Sequence, residues 1–71
     1  MNAKQAREIA EEAVNTISIT DPEDAENGMD VYDTTVIFMK DGKYIVEDNG
    51  EKVSELDRND AIRIITENLT A

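Results

Sequence analysis

Val31-Tyr32-Asp33-Thr34-Thr35-Val36-Ile37-Phe38-Met39-Lys40-Asp41-Gly42-Lys43-Tyr44-Ile45-Val46-Glu47-Asp48-Asn49-Gly50-Glu51-Lys52-Val53-Ser54-Glu55-Leu56 is the stretch that decides the fold. From Val31 to Met39 it is rich in β-branched and aromatic residues, which suit a pleated, half-buried surface. Asp41-Gly42 and Asn49-Gly50 are the dipeptides of two-residue hairpin turns, whose central residues need positive φ. Lys43 to Glu47 between them reads as a second strand, and Glu51 to Leu56 as a third. The spacing predicts a three-stranded antiparallel meander.

Two-residue turns fix the register, setting Lys40 opposite Lys43 and Asp48 opposite Glu51. Strict alternation then puts Val31, Thr35, Ile37, Met39, Tyr44, Val46 and Val53 on one face. It puts Tyr32, Val36, Phe38, Ile45 and Leu56 on the other. Both faces are substantially apolar, so cover is expected on both, or on one with a subunit interface on the other.

Upstream, Ala3, Ala6, Ile9, Ala10, Ala13, Val14 and Ile17 recur at helical spacing, with Lys4, Glu8, Glu11, Glu12 and Asn15 on the opposite face. The apolar stripe is mostly alanine, so this helix can approach its neighbour closely. Asn2 is placed to cap it. Ser18 to Gly28 breaks the pattern: Asp21-Pro22 has the form of a helix start and Asn27-Gly28 of a stop, so Glu23 to Glu26 reads as one helical turn or as a loop. Downstream, Asp57 to Leu69 reads as a second helix, with Ala61, Ile62, Ile64, Ile65 and Leu69 in a wide apolar arc and Asp57 and Asp60 approximating a capping box. The expected class is α+β, in the order α-β-β-β-α, as a single domain over residues 1–71.

At 71 residues the core is small, and neither cysteine nor histidine is present to staple it through disulfides, thiolates or imidazoles. Self-association as a dimer is the remaining device. Seventeen acids against seven bases give a formal charge of −10, a field that repels phosphate backbones and anionic membranes. No direct nucleic-acid or membrane contact is expected, and the expected partner is a protein with a basic surface. The absence of an apolar run long enough to span a bilayer, or of a signal-peptide core after Met1, reads as cytoplasmic.

The charge is unevenly placed. Asp21, Glu23, Asp24, Glu26, Asp30 and Asp33 put six acids and no base into thirteen residues. Met29, Val31 and Tyr32 interleave apolar surface with them, a mixture suited to protein recognition, and Asp21, Glu23, Asp24, Glu26, Asp30, Tyr32 and Asp33 form the candidate binding set. A plainer account of the same residues is a solvated loop whose acids cap the adjacent turn and whose tyrosine packs in the core.

Chemistry beyond binding finds little support. An EF-hand aligned on Gly28 places Ala25 and Thr34 at two ligand positions, and one aligned on Gly50 starts at Ile45, so neither works. No histidine or cysteine can serve as nucleophile or base, and the three glycines all fall in turns, leaving no phosphate-cradling loop. No catalytic residue, metal or cofactor is expected. Two functions follow: a non-enzymatic binding module or inhibitor that occupies a basic partner surface, or a self-associating structural domain whose acidity serves solubility. The first has a sharper form in nucleic-acid mimicry, as in small acidic proteins of phages and other mobile elements.

Overall fold

A computed structural model describes the whole chain, Met1 to Ala71. The order is α1 (Ala3–Ser18), α2 (Pro22–Asn27), β1 (Met29–Tyr32), β2 (Thr35–Lys40), β3 (Lys43–Asp48), β4 (Glu51–Leu56) and α3 (Arg58–Thr70). The strands form one antiparallel sheet in the order β1-β2-β3-β4. The α+β class and both terminal helices are as expected, and so are the pairings of Lys40 with Lys43 and of Asp48 with Glu51.

The sheet has four strands, not three. The apolar run from Val31 to Met39 folds back on itself at Asp33-Thr34, where Tyr32 pairs with Thr35. Asp33 sits at φ 51°, a left-handed conformation that aspartate tolerates better than most residues because its short polar side chain bonds locally.

Two bulges correct the predicted faces. Tyr44 pairs with Leu56 and Val46 with Val53, so β4 spends one residue more than β3 over this interval. The extra residue is accommodated with Glu55 at φ 59°. Leu56 is thereby turned to the same side as Tyr44 and is buried there. In β1, Asp30 pairs with Val36 but Tyr32 with Thr35, so Tyr32 shares the side of Thr35 and not that of Val36.

Both long helices lie on that one side, packed on each other and on the sheet, so of the two expected arrangements the chain does not build cover on both faces from its own helices. Ala10, Val14 and Ile17 of α1 meet Ala61, Ile62 and Ile65 of α3 over Ile37, Tyr44, Val46 and Leu56, and Ala6 and Ala13 of α1 are buried as well. The alanine stripe permits the close approach. Asn2 caps α1 by accepting from the Gln5 amide at 2.8 Å, and Asp57 caps α3 by accepting from the Asp60 amide at 2.8 Å. The Ser18 and Tyr44 hydroxyls share a hydrogen bond that ties the end of α1 to β3.

The opposite face carries Val36, Phe38 and Ile45, each half-buried. Phe38 is sheltered locally: its ring rests against the backbone of Gly28, and the Lys52 ammonium stands 4.9 Å from the ring centroid. Lys52 also lies 3.8 Å from Glu47, so its stem and charge cover part of the face.

Candidate protein interface

The residues from Asp21 to Asp33 are divided by the fold between a helix and a strand. Pro22 sits in the first turn of α2, and the Asp21 carbonyl accepts from the Ala25 amide at 2.9 Å. The Asp21 carboxylate makes no capping bond, so its expected capping role falls away. Ala25 is buried in the core; Glu23, Asp24 and Glu26 are exposed. Glu23 and Asp24 lie in the first turn, where the helix dipole favours negative charge.

β1 pairs only with Thr35 to Ile37, and α2 packs against β2, so α2 and β1 follow one another along the same margin of the sheet. Lys40 shares a hollow with Glu23 and Glu26, but no ion pair closes between them. Asp30 is exposed on the open face opposite Val36, and Asp33 occupies the turn at the far end of β1 from α2. Tyr32 is 52% exposed; it does not pack in the core. The single acidic loop of the sequence is therefore two groups, one on α2 and one on β1.

None of these acids has a basic partner. The ion pairs are Arg7 with Glu11 at 3.3 Å, Lys52 with Glu47 at 3.8 Å, and Arg63 with Asp60 at 3.6 Å and Glu67 at 3.0 Å. All four lie outside residues 21–33.

The bulge at Val31 brings Tyr32 beside α1, and a groove runs between this helix and β1. An open hollow of about 390 Å³ is bordered by Ile9, Ala13, Met29, Val31 and Tyr32, with Glu12, Thr16 and Asp30 completing its lining. It continues past Tyr32 toward Gln5 and Glu8. No lysine or arginine lines either part. Sequence reasoning missed Glu8, Ile9 and Glu12 as site residues. Glu8 and Glu12 were legible as one helical face, but nothing local says that this face lies beside β1.

No group of three or more acidic, histidine or cysteine side chains is placed to hold a metal ion, and no helix is long and apolar enough to cross a membrane. The chain matches no protein-family model, no curated protein and no solved structure.

Proposed function

We propose that this chain is a non-enzymatic cytoplasmic binding module that occupies a basic surface of a partner protein through the margin formed by α2, β1 and the adjoining face of α1. In the sharper form of this reading its spaced carboxylates stand where a nucleic acid's phosphates would. The observation that carries it is that every acid from Asp21 to Asp33 is exposed and unpaired while β1 and α1 hold an apolar groove beside them. Like charges held together without a counter-charge oppose one another in the free protein and are relieved by a cationic partner.

The test is a variant with Glu23→Gln, Asp24→Asn, Glu26→Gln and Asp30→Asn, which keeps side-chain size and removes four charges. Thermal stability is expected to stay within about 0.5 kcal/mol of wild type, since these are exposed positions. Capture of basic nucleic-acid-binding proteins from lysate is expected to be strong at low salt and weak at high salt for wild type, and largely lost for the variant. Equal capture with an equal salt response would leave the margin a solvated surface.

The uncovered sheet face favours a second reading, self-association through Val36, Phe38 and Ile45. The two readings differ in the sign of their salt response. Two copies each carrying −10 repel, so salt strengthens a self-contact and weakens a contact with a basic partner. Light scattering over a dilution series is expected to give a mass near 7.9 kDa at low and high salt alike. A doubled mass that grows with salt would establish the second reading.

A further inference from the structure

The margin that carries the unpaired acids is also a free strand edge, and this points to the form in which a partner is recognised. β1 ends the sheet and bonds to β2 alone, so its outer backbone N–H and C=O groups are available to another chain. The groove between this edge and α1 offers Ile9, Met29, Val31 and Tyr32 to side chains on one face of an added strand. Asp30 projects on the other face, and Glu8, Glu12 and Asp33 stand around the groove and turn. We propose that an extended segment of a partner protein, with apolar and basic residues alternating, adds to β1 as a fifth strand. Its apolar side chains would seat between β1 and α1 and its lysines or arginines, on the open face, would meet Asp30, while Glu8, Glu12 and Asp33 add to the negative field around the segment. Strand addition of this kind draws affinity from main-chain bonds and specificity from the pockets that receive alternate side chains.

The two edges of the sheet are not equivalent. β4 carries Glu51, Lys52 and Glu55 along an otherwise exposed strand, mixed charges of the kind that discourage edge pairing. Beside β1 the charged side chains lining the groove are all acidic, and the bulge at Val31 does more than shorten the strand: it turns Tyr32 toward α1, the re-aiming for which bulges are used. The basic character of the occupant follows from charge complementarity and its extended form from the free edge.

This inference rests on the reading of the margin as a basic-partner site, and the experiment separates the two. The probe is an acetylated, amidated Lys-Val-Lys-Val-Lys-Val-Lys peptide titrated into the isotopically labelled full chain, followed by amide shifts and hydrogen exchange. Protection of amides within Met29–Tyr32, with side-chain shifts at Ile9 and Tyr32, is the expected result. Serine in place of valine, or Tyr32→Ala in the protein, is expected to weaken binding by about tenfold or more, the scale of a lost apolar anchor. Glutamate in place of lysine is expected to abolish it. Amide exchange in α3 reports whether Tyr32→Ala keeps the fold; if it does not, Ile9→Val serves as the groove variant. A peptide N-methylated on alternate residues, unable to pair, is expected not to bind. Equal binding of the N-methylated peptide overturns strand addition and leaves the basic-partner reading standing, as would protection at β4. Failure of every lysine peptide to bind overturns both.

Discussion

Ile65→Ala is expected to leave the protein largely unfolded at room temperature. Ile65 is fully buried at the heart of the contact between α3, α1 and the sheet. Truncating a buried isoleucine to alanine costs about 2 to 5 kcal/mol, with the upper values where the surroundings fail to collapse into the cavity. Here α1 contributes Ala10, Val14 and Ile17 to the same cluster, a methyl group and two β-branched side chains with little rotamer freedom through which to fill the space. A core in a chain of this size rarely supplies more than about 3 to 5 kcal/mol in total, so the loss and the whole stability are comparable. Thermal melting by circular dichroism should show the cooperative transition lost or moved below room temperature. Ile65→Val should remain folded, at a cost of about 0.5 to 1.5 kcal/mol, and Ile64→Ala, at a half-buried position, should cost less than Ile65→Ala. A melt of Ile65→Ala that overlays wild type would mean that α3 does not dock through this residue.

The two glycine-containing turns were legible because their chemistry is local: Asp41-Gly42 and Asn49-Gly50 set the pairing of β2, β3 and β4 without reference to the rest of the chain. The turn at Asp33-Thr34 was not, because it lacks glycine and lies among aromatic and β-branched residues that could equally continue a strand. The bulges had a faint signal. Val53 and Leu56 are three apart, and alternation allows both to lie on the helix-bearing side of the sheet, as their pairing with Val46 and Tyr44 requires, only if an extra residue is inserted between them. That omission had a consequence, since assigning Tyr32 and Leu56 to the wrong side made the open face look more apolar than it is and suggested cover on both sides or a subunit interface on one. With the bulges in place the open face keeps Val36, Phe38 and Ile45, partly sheltered by Lys52. The acids of the candidate interface were visible in the sequence; the groove beside them was not, because it joins Ile9 to Tyr32 through packing of α1 on β1, and no periodicity reports a contact between distant elements.

Gly28→Ala is expected to destabilise the chain by about 2 to 4 kcal/mol, more than any other exposed or half-exposed substitution considered. Gly28 joins α2 to β1 at φ 93° and ψ 159°, a region essentially closed to residues with a Cβ, where strain of order 1 to 3 kcal/mol is stored. Space compounds the strain: a Cβ built there would overlap the Phe38 ring, 2.7 Å from Cδ2 and closer still to Cε2. To make room the ring must leave its seat beneath Lys52, exposing apolar surface on the open face. A domain of this length loses about 4 to 8 °C per kcal/mol, so melting should fall by at least about 8 °C. The two causes can be separated by repeating the substitution in a Phe38→Ala background, where the overlap is gone and only the backbone strain remains. A smaller penalty in that background is expected. An equal penalty would assign the whole effect to the backbone, and no penalty in either background would mean that Gly28 does not hold the left-handed conformation. The substitution also bears on function, because Gly28 sets the angle at which β1 leaves α2 and so where Asp30 and Tyr32 stand. Amides from Met29 to Tyr32 should shift in the fraction that remains folded, while those of α3 should not.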